Sequence, residues 1–203
     1  MSFYADRIMP RLIAAGMQNK AMNRYRPRIP PLATGRVLEV GIGSGLNLPY
    51  YTREVTRIFG LEPSRLLREQ AEAAASSAPC PVELLSAGAE SIPLESGSVD
   101  TVVSTWTLCS IPDLGAALAE MRRVLRPGGK LLFLEHGRAP DPAVSRWQDR
   151  LAPVFRGLAG CNPNRQIDTS IMEAGFRMLE IERAYLDGPR FISWHFIGQA
   201  VTT

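Results

Sequence analysis

The sequence lacks the features that mark membrane-spanning and secreted proteins. No stretch approaches the ~20 consecutive apolar residues that a transmembrane helix needs. The first residues, Met1–Asp6, have neither the basic start nor the apolar core of a secretory signal peptide. We therefore expect a protein that is neither inserted in a membrane nor exported.

Cysteine and histidine are scarce. The three cysteines, Cys80, Cys109 and Cys161, form no CxxC pair, and the two histidines, His136 and His195, stand far apart in the chain. An odd number of cysteines without paired spacing argues against a disulfide framework and predicts no metal site. A reducing compartment follows, so we expect a cytoplasmic protein.

The basic charge is weak and carried almost wholly by arginine, since Lys20 and Lys130 are the only lysines. The net charge of +3 is too small to indicate a nucleic-acid partner. The chain also lacks an N/D-P-P-Y/F motif and a basic stripe with interleaved aromatics. With 203 residues, 45% of them hydrophobic, it fits a single domain over residues 1–203.

Three glycines, Gly41, Gly43 and Gly45, interrupt the sequence directly after a short apolar run that contains Glu39. About twenty residues later a second apolar run, 55–61, ends on Glu62. This order is typical of a strand, a glycine-rich turn, a helix and a second strand with a carboxylate at its end. Such a unit binds a nucleoside-like ligand at the carboxyl ends of parallel strands, although a tight turn beside an ordinary surface acid is the alternative.

The glycine spacing favours one kind of nucleoside. Dinucleotide sites use G-x-G-x-x-G, whereas this chain reads G-x-G-x-G and has Leu46 where the third glycine of the dinucleotide motif would fall. Glu39, two residues before the first glycine, would repel a diphosphate but would suit a cation. S-adenosylmethionine carries a sulfonium, an ammonium and a ribose but no phosphate, so it is the expected cofactor. The glycines would let the backbone approach its methionine moiety, and Glu62 would accept hydrogen bonds from the ribose hydroxyls.

Three motifs together resemble the class I S-adenosylmethionine-dependent methyltransferases of the type-11 group. They are the segments 38–45 (LEVGIGSG), 97–104 (GSVDTVVS) and 123–130 (RVLRPGGK). The resemblance implies an α/β, doubly wound, mostly parallel seven-stranded sheet with an antiparallel C-terminal hairpin. Strands are predicted near 36–40, 56–61, 82–86, 99–104, 130–135, 177–185 and 192–201, with an amphipathic helix over 114–126 and a turn at 126–130.

The resemblance also assigns further residues to the cofactor. Asn47, in the first turn of the expected helix, is either a polar contact to the cofactor or a helix cap. Pro63 would lie beside the ribose, and Thr105 and Leu108 would border the transferable methyl group. Many members of the group hold the adenine amino group with an Asp where this chain has Gly88. Ala89 or Glu90 would take over that function here.

Two segments lie outside the core pattern. Residues 1–34 are predicted to form an N-terminal helical cap, with a helix over 3–25. Residues 137–170 form an insertion or lid region that contains a second helix. In that helix the apolar residues Trp147, Leu151, Phe155 and Leu158 share one face, which serves either core packing or a lid over the substrate.

The acceptor is suggested by three short segments, Leu108–Ser110, Leu134–Gly137 and Gly160–Asn162. Together with the C-terminal segment 194–200 they resemble the small-molecule thiol S-methyltransferase branch of the group. His136, at the end of a strand, is then the catalytic candidate that takes the thiol proton or stabilises the thiolate, and a structural histidine is the alternative. Cys109 and Cys161 are interpreted as packing residues.

Two other functions remain open on the sequence. The runner-up is N-methylation of a phospholipid head group or methylation of a quinone-like ring, with the basic N-terminal helix making peripheral membrane contact. A cofactor-binding protein without transferase activity is the non-enzymatic alternative. A small-molecule acceptor is the expected partner, and the sequence leaves the oligomeric state open.

Overall fold

The computed structural model describes residues 20–202, which form a seven-stranded sheet packed on both faces. The strands are β1 (Gly35–Val40), β2 (Val55–Leu61), β3 (Val82–Leu85), β4 (Val99–Thr105), β5 (Leu125–His136), β6 (Phe176–Tyr185) and β7 (Trp194–Thr202). The α-helices are α1 (Lys20–Asn23), α2 (Arg65–Ala74), α3 (Leu114–Val124), α4 (Pro142–Ala159) and α5 (Ile167–Glu173). Short 3-10 helices lie at Arg26–Arg28, Pro30–Leu32, Leu48–Tyr50 and Ala75–Ser77.

The strand order is β3-β2-β1-β4-β5-β7-β6. Strands β1 to β5 run parallel, whereas β7 lies antiparallel between β5 and β6. This arrangement confirms the predicted fold class, including the antiparallel C-terminal hairpin. Because the chain order reverses at β1 and β4, the carboxyl ends of these two neighbouring strands open a crevice at that edge of the sheet.

Two apolar cores cover the two faces of the sheet. Alternate residues of each strand point to opposite faces, so Val103 and Val102 of β4 enter different cores. The first core packs against α3 and α5 through Leu118, Met121 and Ile171. The second packs against α2 and the 3-10 segments. The strands that carry the functional residues are thus buried on both sides, as near-continuous apolar runs predict.

The expected alternation of strands and helices is only partly right. Residues 41–54, between β1 and β2, contain just the 3-10 turn Leu48–Tyr50, and residues 86–98, between β3 and β4, contain no helix. Pro49 lies in the first of these segments, within the 3-10 turn, and donates no backbone hydrogen bond. Asn47 therefore lies in a loop and not in the first turn of a helix.

The predicted helix over 114–126 ends at Val124, two residues early. Asp113 caps its start by accepting a hydrogen bond from the Ala116 N–H. The turn predicted at 126–130 lies inside β5 as an interruption of pairing: Leu125 pairs with Val99, and pairing resumes at Lys130. Because residues on both sides of this interruption pair with β4, β5 is one long strand where a turn and a short strand were predicted.

Most of the predicted N-terminal helix lies outside the described residues, which contain only its end as α1. No helix within residues 20–202 is long and apolar enough to cross a membrane. The predicted insertion helix forms α4, but Trp147 and Leu158 are 56% and 61% exposed, so these two side chains do not pack in a core. Ser145, Gln148 and Ala152 are buried residues of α4 instead.

A glycine in β7 tests how tightly the hairpin packs. A Cβ at Gly198 would overlap the carbonyl oxygen of Glu180 in β6, so Gly198→Ala should lower the free energy of unfolding by about 1–3 kcal/mol. Gly157 in α4 has open space around its Cβ position, and Gly157→Ala should raise the free energy by about 0.5–1 kcal/mol. Urea denaturation of both variants measures the difference, and equal stabilities would contradict the packing described here.

Candidate active site

The predicted cofactor residues lie at the carboxyl ends of β1, β2 and β4, where the glycine loop crosses the edge of the sheet. Gly41, Gly43 and Gly45 all adopt positive φ angles, of 68°, 56° and 81°. The Gly41 and Ile42 N–H groups donate to the Leu61 carbonyl, which ties the loop to the end of β2. The loop is therefore held in a conformation that favours glycine at each of the three positions.

Two of these glycines have contrasting surroundings. A Cβ at Gly41 would overlap the side chain of Thr107, in the loop that follows β4. The nearest atom to a Cβ at Gly43 would be the Gly41 carbonyl oxygen, at 3.9 Å. Gly41 thus permits close packing of two protein loops, whereas Gly43 faces open space of the kind that a ligand would occupy.

Glu62 lies directly after β2 and is 7% exposed. Its carboxylate accepts hydrogen bonds from the Gly43 N–H at 3.2 Å and from the Ser64 N–H at 2.9 Å. Burial raises the pKa of Glu62, while these two N–H groups partly offset that effect. The carboxylate is therefore fixed beside the glycine loop, and Pro63 next to it is exposed.

Glu39 is more deeply buried, with 1% of its surface exposed. Its carboxylate accepts hydrogen bonds from the Asn47 amide and the Tyr51 hydroxyl, both at 2.8 Å. Burial raises the pKa of Glu39 to about 7 despite these bonds. Glu39 thus lies behind the glycine loop. Asn47 and the loop separate its carboxyl group from the crevice at the edge of the sheet.

Asn47 links three groups at the centre of the site. Its amide nitrogen donates to Glu39 and to the Thr105 hydroxyl, and its oxygen accepts from the Arg26 guanidinium at 3.0 Å. It makes no side-chain capping bond to the 3-10 turn that follows. The alternative of a helix cap is therefore wrong, and Asn47 is a buried polar connector between β1, β4 and the segment that leads into β1.

Glu90 lies beside Gly88 in the region expected at the adenine. Glu90 places its carboxylate oxygen Oε2 at 2.8 Å from the position of a Cβ on Gly88. An acidic group thus occupies the space where a side chain at residue 88 would begin. Its other oxygen accepts a hydrogen bond from the Asp113 N–H, and Ala89 between the two residues is buried.

Glu135, at the end of β5, was not among the residues predicted from sequence. It is fully buried and accepts hydrogen bonds from the Ser104 hydroxyl and from the N–H groups of Thr107 and Leu108, at 2.7–3.1 Å. Burial, with the nearby Cys109, raises the pKa of Glu135 to about 8. This carboxylate fixes the loop after β4 in which Leu108 lies buried.

Trp106 begins that loop with a φ of 52°, a left-handed conformation that a bulky residue rarely adopts. Its indole N–H donates to His195 Nε2 at 2.9 Å, and the Arg26 guanidinium lies 5.0 Å from the centre of its ring. The strained backbone is held by these contacts and by the bond from its own N–H to the Leu134 carbonyl. Strain of this kind concentrates at functional sites.

His136 lies beside two cysteines that the sequence separates widely. The ligand atoms of Cys109, His136 and Cys161 all lie within 4.8 Å of one another, and Cys161 Sγ is 3.1 Å from His136 Nε2. A hydrogen bond from Cys161 and the proximity of His136 lower the pKa of Cys109, whereas the same pairing raises the pKa of Cys161. The interpretation of both cysteines as packing residues is therefore incomplete, because their sulfur atoms share a polar cluster with the candidate catalytic histidine.

The local sequence Gly160–Asn162 explains how Cys161 reaches this cluster. Gly160 ends α4 in the left-handed conformation, with a φ of 67°, and its N–H donates to the carbonyls of residues in the last turn. Asn162 then binds the Cys109 carbonyl oxygen twice, through its backbone N–H at 2.9 Å and its side-chain amide at 3.2 Å. The spacing of these residues in the sequence predicted no metal site, but the fold brings their three distant segments together.

Comparisons with known proteins agree with this geometry. The Methyltransferase domain family matches residues 38–133. A thiol S-methyltransferase of Homo sapiens, TMT1B, is 32% identical over 181 residues, which is 83% of this chain and 72% of the relative. The chain belongs to the S-adenosylmethionine-dependent methyltransferases. It is an enzyme, and S-adenosylmethionine is its cofactor.

Other relatives of the methyltransferase differ in the acceptor that their names give. A phosphatidylethanolamine N-methyltransferase of Cereibacter sphaeroides is 35% identical over 127 residues, 62% of this chain and 59% of the relative. The solved structure of a possible histamine N-methyltransferase from Thermotoga maritima superimposes with a TM-score of 0.70 over 97% of this chain and 99% of its own, at 19% identity. That likeness shows the fold.

The residues present in the methyltransferase fit its cofactor. The open space above Gly43 admits a ligand against the backbone, where a Cβ would stand in its way. Glu62 places a buried carboxylate beside that space and Glu39 a second one behind the loop, so no diphosphate would be favoured there. A ligand that carries a sulfonium and an ammonium would instead be attracted by both acids.

Several site residues of the methyltransferase were missed by sequence reasoning. Arg26, Tyr51 and Glu135 reach the site only through tertiary contacts, and no motif marks them, whereas Trp106 lies between the predicted residues Thr105 and Leu108. Cys109 and Cys161 were noticed but assigned to packing. Arg26 illustrates the difficulty, because an arginine in a proline-rich connection is expected in solvent, yet this one is 3% exposed and binds Asn47.

The raised pKa of Glu39 gives a testable pH dependence. Its carboxyl is protonated in both states below about pH 4.5 but only in the folded state between 4.5 and about 7. The resulting stability is complete below pH 4.5 and is lost, by about 3 kcal/mol, as the pH rises through 7. Glu39→Gln should remove this part of the slope in urea denaturation of the cofactor-free protein.

The control for this experiment is Glu95→Gln, at an exposed position remote from the site. Glu135 also makes the free energy of unfolding depend on pH, up to about pH 8, in every variant. The difference between the stability curves of Glu39→Gln and Glu95→Gln therefore isolates the contribution of Glu39. Parallel curves for the two variants would show that Glu39 titrates normally.

Proposed function

We propose that this methyltransferase transfers the methyl group of S-adenosylmethionine to a small thiol. The observation that carries the proposal is the likeness to the human thiol S-methyltransferase, which extends over 83% of the chain and so well beyond the matched domain at 38–133. It is supported by the cluster of Cys109, His136 and Cys161, which the fold places at the same edge of the sheet as the glycine loop.

On the donor side we assign the backbone of Gly41, Gly43 and Gly45 to the methionine moiety and Glu62 to the ribose hydroxyls. Glu39 attracts the cofactor's ammonium group, with Asn47 as the polar group between them. Glu90 replaces the missing acid at Gly88 towards the adenine, with Ala89 and Pro63 beside it. Thr105 and Leu108, on either side of Trp106, border the methyl group.

The chemistry suits such a site. The thiolate sulfur attacks the methyl carbon in line, the new S–C bond forms as the bond to the sulfonium breaks, and the electron pair stays on the donor sulfur. A thiolate and a sulfonium thereby become two neutral thioethers. Because charge disappears in the transition state, a site that excludes water favours the reaction, and the enzyme's main tasks are alignment and desolvation. We assign His136 to the stabilisation of the acceptor thiolate.

A second candidate function is methylation of a phospholipid head group or a quinone-like ring. One observation on helix α4 favours this second function. Trp147 and Val154, two turns apart, are more than half exposed, and the Arg150 guanidinium lies 5.6 Å from the centre of the Trp147 ring. Apolar and basic side chains on one helix face are typical of contact with an anionic membrane surface.

A panel of acceptors separates the two functions. The enzyme is incubated with methyl-labelled S-adenosylmethionine and, in turn, an alkyl thiol, hydrogen sulfide, a quinol and phosphatidylethanolamine vesicles. We expect label in the thioether formed from the alkyl thiol or in the methanethiol formed from hydrogen sulfide, and none in lipid. Labelled lipid or quinol with unlabelled thiols would overturn the proposal in favour of the second function, and the variant Trp147→Ala would then show whether α4 takes part.

The ribose assignment is tested by Glu62→Ala. Loss of a carboxylate that accepts two ribose hydroxyls should weaken cofactor binding by on the order of 100-fold, at about 1.5 kcal/mol for each charge-assisted hydrogen bond. Isothermal titration calorimetry measures the change, with Glu69→Gln on the exposed surface of α2 as the control. An unchanged dissociation constant in a folded Glu62→Ala protein would show that another group holds the ribose.

A further inference from the structure

Three soft donor atoms converge at one point of the molecule. Cys109 follows β4, His136 ends β5, and Cys161 follows α4, yet their two sulfur atoms and one imidazole nitrogen all lie within 4.8 Å of one another. In a tetrahedral zinc site, ligand atoms at the usual bond lengths are about 3.5–3.8 Å apart. The cluster therefore already has nearly the dimensions of such a site, and small side-chain rotations would complete it.

The backbone that carries the three residues is fixed by other interactions. Asn162 binds the Cys109 carbonyl oxygen with two hydrogen bonds, and the Arg165 guanidinium donates to the carbonyls of Leu108 and Ile111. His136 is held in β5 opposite His195 of β7. Its buried Nδ1 has no partner within residues 20–202, so the strand and Cys161 set the orientation of the ring. Because the ligand residues are already held in position, zinc binding would require little further ordering of the protein.

The chemistry of the donors selects the ion. Two thiolates and an imidazole prefer zinc over magnesium or calcium, which need oxygen ligands. The nearest carboxylate, Glu135, is already engaged by Ser104, Thr107 and Leu108. Two thiolates also cancel the charge of a divalent ion, so binding would bury no net charge in this part of the protein.

Three protein ligands leave one position of a tetrahedral ion free, as in catalytic zinc sites. Thr107 connects this position to the donor side. Its side chain packs against Gly41 of the glycine loop, and Cys109 follows two residues later. The loop after β4 therefore contacts the glycine loop and also carries a member of the cluster, which brings the cluster and the predicted cofactor residues to the same edge of the sheet.

We propose that Cys109, His136 and Cys161 bind a zinc ion whose open fourth position takes the sulfur of the thiol acceptor. The second half of this proposal rests on the proposed function. Coordination releases the thiol proton to solvent and holds the sulfur as a thiolate. That sulfur then forms its bond to the methyl carbon while the bond to the donor sulfonium breaks. His136 acts as a ligand, and this is how it stabilises the thiolate.

Metal content tests the site without reference to activity. The full chain is purified under reducing conditions, equilibrated with zinc, dialysed and analysed by inductively coupled plasma mass spectrometry. We expect one zinc per chain in the wild type and at least a tenfold loss in Cys161→Ser and Cys109→Ser. Cys80→Ser makes the same change at a cysteine outside the cluster and should keep the metal. A wild type without zinc, or equal retention in all variants, would overturn the proposal.

Cobalt substitution tests the ligands in the wild type, so the result does not depend on whether a variant folds. Thiolate ligation gives a sulfur-to-cobalt charge-transfer band, which we expect in the wild type and in Cys80→Ser. Its absence would overturn the site, as would an intact mass two hydrogens lower after purification, since a disulfide between Cys109 and Cys161 would then occupy both sulfurs.

The open position has its own readout. An alkyl thiol added to the cobalt protein should shift the charge-transfer band, and an unchanged spectrum would overturn the fourth-position assignment.

Activity then separates the two proposals. Full thiol methylation by zinc-free enzyme would reject the metal's part in the reaction and keep the proposed function. A zinc-loaded protein that binds thiols but methylates only lipid or quinol would reject the proposed function and keep the site.

Discussion

The buried carboxylate of Glu135 is the interaction on which the site depends. It stands at the end of β5 and holds the hydroxyl of Ser104 and two consecutive N–H groups of the loop after β4. That loop carries Thr107, which packs on the glycine loop, and Cys109, which joins the cluster with His136. A single acid thus sets the distance between the donor and acceptor sides, and its burial is tolerated because three donors satisfy it.

Glu39 and Glu135 show the same compromise on β1 and β5, the two strands that flank β4. Each is fully surrounded by protein, each is hydrogen-bonded, and burial still raises the pKa of each towards neutrality. On the proposed assignment of Glu39 to the cofactor's ammonium group, this burial would strengthen the attraction, because a carboxylate that lacks water nearby interacts more strongly with an approaching positive charge. The protein would then give up stability in the cofactor-free state for attraction of the ligand.

The fold was predictable from sequence because its signals are local. The buried strands are short apolar runs, and the glycines from Gly41 to Gly45 mark the loop after β1. Gly188 and Pro189 separate the two strands of the final hairpin. By contrast, the contacts of Arg26, Tyr51 and Glu135 arise from the packing of segments far apart in sequence. The cluster of Cys109, His136 and Cys161 has no spacing pattern at all, because three separate segments build it.

The position of β7 has a consequence for how the chain reaches its structure. This strand is synthesised after the other six, yet it lies inside the sheet, with β5 on one side and β6 on the other. Until it arrives, β5 presents an open edge of backbone donors and acceptors, and β6 has no neighbour within the sheet. The nascent protein therefore carries an incomplete sheet through most of its synthesis, and the last step of folding closes that edge against unwanted association with other chains.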